Sequence, residues 1–180
     1  MNPLTIIKKY YDPQSDLYRL LVVHGSVVAK KALSIAKNVP ELKPNRQFIK
    51  EAAMLHDIGI IKTHAPGIFC NGTKPYICHG HEGRKILEKE GLHVHALVCE
   101  RHTGVGLTKE DIVRHKLPLP KRDMIPISIE EKIICLADKF YSKGHPKKEK
   151  SMTEIRKELK KFGKEKIDVF DGMIKKLKLI

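Results

Sequence analysis

Three apolar stretches of this chain each carry side chains able to bind a cation. His24 sits in LLVVHGSVV, His56 and Asp57 stand side by side in AAMLHDIGIIK, and Asp138 follows the run KIICLA. Adjacent residues on a helix project about 100° apart, so His56 and Asp57 are poorly placed to satisfy only each other. An unpaired carboxylate in an apolar setting costs several kcal/mol, on the order of the desolvation of the ion itself. Among the immediate sequence neighbours of the two acids, Lys139 alone is a permanent cation. Taken singly, His24 reads as a core histidine. Taken with the other three, it points to a shared divalent cation, which binds carboxylate and neutral imidazole and draws acid pKa values down.

The elements that must position these residues are helical, because apolar residues recur with helical spacing and β-branched alternation is scarce. A long helix is expected over 15–39, capped by Ser15 or Asp16 and stopped before Pro40. A second is expected over 44–59, with Pro44 near its first turn and Gly59 at its end. Residues 62–78, punctuated by Pro66, Gly67, Asn71, Gly72 and Pro75, read as a loop. Helices follow over 79–92 and 94–104, then a short one in TKEDIVRHK and a Pro-rich connector over 117–126. Capping boxes at Ser128–Glu131 and Ser151–Glu154 open helices over 128–144 and 151–163, and a last helix runs over 165–178. The expected fold is an all-α bundle, a single domain over 1–180.

In order and in helical placement, His24, the His56–Asp57 doublet and Asp138 resemble the H…HD…D signature of the HD-domain superfamily of metal-dependent phosphohydrolases, and His56–Gly59 spells HDIG. The resemblance covers about 20–145 and leaves 146–180 as a basic helical extension. It implies an all-helical domain whose central helices converge on metal, with His24, His56, Asp57 and Asp138 as ligands. His81 in CHGHEG and His102 in ERHTG extend the likeness to subfamilies with the pattern H…HD…H…H…D, which hold two metals. Carried over, Asp57 bridges the ions while His81 and His102 bind the second. His79 competes with His81 two residues away; the subfamily pattern, with its ligand just before Glu-Gly, favours His81. The GYP element of the HD-GYP phosphodiesterases is absent and Ile60 stands where they have lysine, which argues against cyclic di-GMP as substrate.

A site rich in imidazole suits Fe, Mn, Co, Ni or Zn better than Mg, which prefers oxygen ligands. One or two such ions would activate water for attack on a phosphoester of a nucleotide or related small metabolite: a cyclic phosphodiester, a phosphomonoester or a dinucleoside polyphosphate. Asp57 is the central catalytic candidate, with Lys62, Arg101 and Lys139 as candidates for phosphate charge because each neighbours an expected ligand. His64 is a candidate proton donor to the leaving group. The loop over 62–78 is the expected specificity element.

The net charge of +14 gives a surface that attracts phosphate, and half of the excess lies beyond Ser142. Nucleic acid is therefore an open partner, and a non-catalytic module binding RNA, DNA or a nucleotide is the alternative function. The tail has little of the Arg and aromatic content that nucleic-acid readers carry, which favours a solvated lysine face. Cys70, Cys78, Cys99 and Cys135 form no C-x-x-C pair and read as reduced packing residues. No apolar run approaches the roughly 20 residues needed to cross a bilayer. A cytoplasmic location is expected, and oligomeric state is left open.

Overall fold

Side-chain caps punctuate the helices. Asn2, Ser15, Asn45, Thr108, Ser128 and Ser151 each accept a hydrogen bond from a backbone N–H two or three residues on, satisfying donors that a helix leaves unpaired at its start. The computed structural model describes residues 1–145 and 147–179. It runs through α1 (Pro3–Tyr10), α2 (Asp16–Lys37), α3 (Arg46–Leu55), α4 (His79–Lys89), α5 (His93–Arg101), α6 (Lys109–Arg114), α7 (Ile129–Lys139), α8 (Met152–Leu159) and α9 (Lys164–Lys176). The fold is all-α, with one small sheet between α3 and α4.

That sheet departs from the expected loop. β1 (Thr63–Ala65) pairs antiparallel with β2 (Cys70–Asn71) and parallel with β3 (Lys74–Pro75). Its strands are too short to show alternation in the sequence, and burial of Thr63 and Cys70 holds them in place. Three further differences have local causes. α1 has no counterpart among the expected helices; Pro3 occupies its first turn and Asn2 caps it. α3 starts at Arg46 rather than at Pro44 because Asn45 is the cap, and it ends at Leu55, after which the chain tightens into a 3-10 turn at Ile58–Lys62. Ser128 caps α7, but Glu131 does not complete the expected box. Its carboxylate accepts from the Ile127 N–H and from Arg101 instead. The box at Ser151 and Glu154 is complete.

The apolar interior has two main parts. Val28, Ala32, Ile49, Ala53, Ile133 and Ile134 join α2, α3 and α7, and the C-terminal helices bury Ile155, Phe170 and Ile174 in the same cluster. The basic extension thus contributes to the core with one face while most of its lysines face outward, Lys166 being buried against Asp111. Ile7, Leu21, Leu55, Ile58, Leu87 and Cys99 form the second part, which joins α1, the start of α2, the 3-10 turn, α4 and α5. His24 lies on α2 between Leu21 of one cluster and Val28 of the other, so the polar centre falls at their seam. All four cysteines are buried free thiols. Among the described residues, no helix is long and apolar enough to cross a membrane.

Two contacts fix the turn that follows the His56–Asp57 doublet. The Tyr11 hydroxyl, buried just past α1, donates to the Ile58 carbonyl at 2.6 Å and accepts from the Ile61 N–H at 3.1 Å. On the other side Gly59 packs directly against α4, where a Cβ would fall 2.0 Å from the His79 carbonyl oxygen and 2.3 Å from the Gly83 nitrogen. Backbone atoms cannot yield as a flexible side chain can. Gly59→Ala is therefore expected to cost at least ~2 kcal/mol by overpacking, read as a lower urea midpoint, and to weaken metal binding with it.

Candidate metal centre

Asp57 stands between α3 and the 3-10 turn, fully buried, and the lysine ammonium of Lys143 pairs with Oδ2 at 2.7 Å. Its two oxygens face two different sets of histidines. Oδ2 lies 3.2 Å from His24 Nε2 and 3.1 Å from His56 Nε2. Asp138 joins that side, its Oδ1 lying 3.0 Å from His24 Nε2 and 3.4 Å from His56 Nε2. Oδ1 of Asp57 lies 3.5 Å from His79 Nε2 and 3.4 Å from His102 Nε2. The ligand atoms of His24, His56, Asp57 and Asp138 all fall within 4.8 Å of one another, as do those of Asp57, His79 and His102.

Helix ends set the orientation of three of these rings. His56 Nδ1 lies 2.6 Å from the Ala53 carbonyl, His102 Nδ1 2.7 Å from that of Cys99, and His79 Nδ1 2.8 Å from that of Tyr76. Each contact reaches back three residues, so Nδ1 carries the proton and donates it, and Nε2 is left to present its lone pair to the centre. The Nε2 atoms of His79 and His102 then face each other at 3.1 Å. Two lone pairs at that distance repel unless a cation lies between their reach. Among the described residues His24 Nδ1, His56 Nε2 and Asp57 Oδ1 are buried without a hydrogen-bond partner, and the set of ring nitrogens and carboxylate oxygens fits a divalent transition metal.

The electrostatics of the buried acids favour positive charge at the centre. Burial opposes the charged form of His56, yet Asp57 and Asp138 outweigh it and raise its pKa to about 10, so the proton they hold on Nε2 is the one a bound cation would displace. Burial would raise Asp57, but His56, Lys143, His102 and His24 keep it well below the ordinary carboxylate range. Asp138 is held down likewise by Lys139 and the two histidines against its own burial. His79 goes the other way: burial is the largest cause and pushes it down to about 3, leaving a neutral imidazole. His102 is also lowered by burial.

The structure therefore brings His24, His56, Asp57, His102 and Asp138 together, and in place of His81 it brings His79. The α4 helix begins at His79, and two residues further on the side chain has rotated about 200° to another face. His81 Nδ1 instead lies 3.3 Å from Glu100, a buried acid that also receives Arg84 and, at 2.6 Å, Arg122. Arg101 turns away from the centre to Glu131 at 3.0 Å. Lys62 and His64 are exposed at the end of the 3-10 turn and on β1. Lys139 reaches Asp138 Oδ2 at 3.0 Å. The cation that sequence reasoning missed is Lys143, whose Nζ lies 2.7 Å from Asp57 Oδ2 and 5.7 Å from the Tyr76 ring centroid. Tyr76 in turn stacks on His79 with centroids 4.8 Å apart. Only the spacing of Lys143, four residues beyond Lys139 and just before Gly144, hinted that it could return to the site.

Comparison with known proteins follows the same residues. The HD domain family profile matches residues 24–143. A tRNA (cytidine(56)-2'-O)-methyltransferase of Picrophilus torridus is 36% identical over 124 residues, covering 68% of this chain and 32% of that protein. An uncharacterized protein of Methanocaldococcus jannaschii is 35% identical over 121 residues, covering 66% of this chain and 64% of that one. The methyltransferase of the same name from Thermoplasma volcanium is 32% identical over 123 residues, with 68% and 32% covered. The alignment thus takes in about a third of each methyltransferase. The HD domain of the Listeria monocytogenes phosphodiesterase PgpH, solved with cyclic-di-AMP, aligns over 94% of this chain and 86% of its own at 19% identity and a TM-score of 0.49.

The exchange of His81 for His79 is testable by elemental analysis of purified protein. His79→Ala is expected to lose about one metal equivalent that His81→Ala retains, since only the former removes an Nε2 from the centre.

Proposed function

Because this chain belongs to the HD domain family, we propose that it is a metal-dependent phosphohydrolase that cleaves a phosphoester of a nucleotide or related small metabolite. The observation that carries this reading is the buried Asp57 carboxylate, which offers one oxygen to each of two groups of ring nitrogens. His24, His56, Asp57 and Asp138 would hold one divalent transition metal, and Asp57, His79 and His102 a second. Such ions, when bound, supply Lewis-acid polarisation of a phosphoryl oxygen and bring the pKa of water toward roughly 7.

The chain's own residues do the rest. The carbonyls of Ala53, Tyr76 and Cys99 lock three imidazoles with Nε2 inward, so the ligands need no reorganisation when metal or substrate arrives. Lys143 and Lys139, each beside a carboxylate of the centre, are placed to meet phosphate charge there. Arg101, held by Glu131, is a positioning residue at the end of α5 rather than a phosphate contact. In the hydrolysis a P–O bond forms from water, the P–O bond to the leaving group breaks, and one proton passes from the water to the leaving oxygen.

The names of two relatives add RNA to the substrates worth testing, and the basic outer face of α8 and α9 gives RNA a complementary charge. An RNA-binding role without catalysis would leave the inward ligand set without a use.

Protein loaded in turn with Mn, Fe(II), Co, Ni or Zn is expected to hydrolyse bis(p-nitrophenyl) phosphate or nucleoside phosphates. Chelation should abolish turnover and metal should restore it. Asp57→Ala, which removes an oxygen from both groups, is expected to fall to the background rate in every metal. Full activity in metal-free protein would overturn this function.

A further inference from the structure

A cleft of about 420 Å³ opens beside the metal centre, on the side of α2 that carries Val23 and the loop that carries Lys143. Lys143 is in its wall and its Nζ contacts Asp57, so one lining residue joins the cleft to the centre. Arg19, Lys143 and Lys147 line it, with Asp16 as the one acid. Asp16 is tied to Arg19 at 2.8 Å, which leaves an excess of positive charge on the walls. The wall opposite α2 includes the Gly67–Ile68–Phe69 stretch, which joins β1 to β2.

Phe69 is unusual in two independent ways. The residue is 48% exposed, while its neighbour Cys70 is fully buried. Its backbone adopts φ 63°, a left-handed conformation that a bulky side chain rarely occupies and that glycine would take at no cost. The surroundings hold it there. The Phe69 N–H donates to the Pro66 carbonyl at 3.0 Å, β1 and β2 pair Ala65 with Cys70, and the Gly72 backbone packs so close to Lys62 that a Cβ would lie 2.3 Å from its carbonyl carbon. A strained, over-determined aromatic at the edge of a cationic cleft is how a fold keeps a functional group in place.

We infer that Phe69 is a stacking platform for the base of a nucleotide substrate, whose phosphate extends across Lys147 and Arg19 toward Lys143 and the metal centre. A flat ring fixed at the mouth and cations leading inward suit a ligand with a planar apolar end and an anionic end. A small phosphate without a base would use only the inner part of the cleft. The inference rests on the proposed hydrolase reading and narrows it, because it assigns selectivity for a base-bearing phosphoester to one residue. Base–aromatic stacking tolerates sequence, so the platform selects for the presence of a base rather than for one base.

Calorimetric titration with AMP, GMP, CMP, UMP and inorganic phosphate tests it, using metal-loaded protein. Phe69→Ala is expected to weaken binding of at least one nucleoside monophosphate by ~10-fold, within the range of stacking on an aromatic, and to leave inorganic phosphate unchanged. Phe69→Tyr should keep nucleotide affinity. Phe69→Gly relieves the backbone while removing the ring, so it should lose nucleotide affinity without loss of thermal stability. Lys147→Ala should weaken nucleotide and inorganic phosphate alike. Equal nucleotide affinity in wild type and Phe69→Ala, or nucleotides binding no more tightly than inorganic phosphate, would overturn the inference. Turnover of bis(p-nitrophenyl) phosphate separates the two claims. Its retention alongside either of those results leaves the hydrolase intact and removes the platform. Its absence with stacking-dependent binding does the reverse.

Discussion

A single carboxylate shut off from the surface governs this molecule. Asp57 is fully buried, and its neutralisation must come from side chains or from ions that side chains hold. His24 from α2, His56 from the end of α3, His79 from the start of α4, His102 from the end of α5 and Lys143 from beyond α7 all approach it. The convergence of so many elements on one residue explains why the two apolar clusters meet where they do. Each cluster fixes one side of the seam, and the seam is where charge can be shared. Truncation of any one element would expose a different flank of the same carboxylate, so the helices are coupled through electrostatics as well as through packing.

The legible part of this site was the part written as contrast. His24, His56, Asp57 and Asp138 each break an apolar run, and a polar group in such a run raises the question of its partner. The helical class was legible for the same reason, since apolar spacing carries it. Less legible was anything decided by helix phase. His79 and His81 differ only in where α4 starts, and the start is set by a 3-10 turn at Tyr76–Cys78 that leaves no strong mark in the sequence. The small sheet escaped because strands of two and three residues show no period. Lys143 escaped because a lysine beyond a helix end, among other lysines, looks like surface.

The cations divide into two kinds by the company they keep. Arg84 and Arg122, with His81, surround the buried Glu100, and Arg101 pairs with Glu131. Their positive charge is consumed within the fold, where it lets two acids be buried: burial alone would raise Glu100, and the two arginines with His81 bring it below the usual carboxylate value. Lys166 does the same for Asp111. Lys139 and Lys143 sit against acids that also face ring nitrogens, so their charge is directed at the centre. A net charge of +14 is therefore not one property. Part of it is structural, part belongs to the centre, and the rest is spread over exposed faces along the chain, with half of the excess beyond Ser142.

The two halves of the centre differ in how far apart their members lie along the chain. His79 and His102 are separated by 23 residues, whereas His24 and Asp138 are separated by 114. A ribosome releases the chain from its N-terminus, and contacts of long separation are the last to become available. The trio of Asp57, His79 and His102 is wholly synthesised while Asp138 has yet to be made. The order in which the polypeptide is produced thus imposes an order of maturation on its two halves: one can form on a nascent chain, and the other must wait until Asp138 has been made.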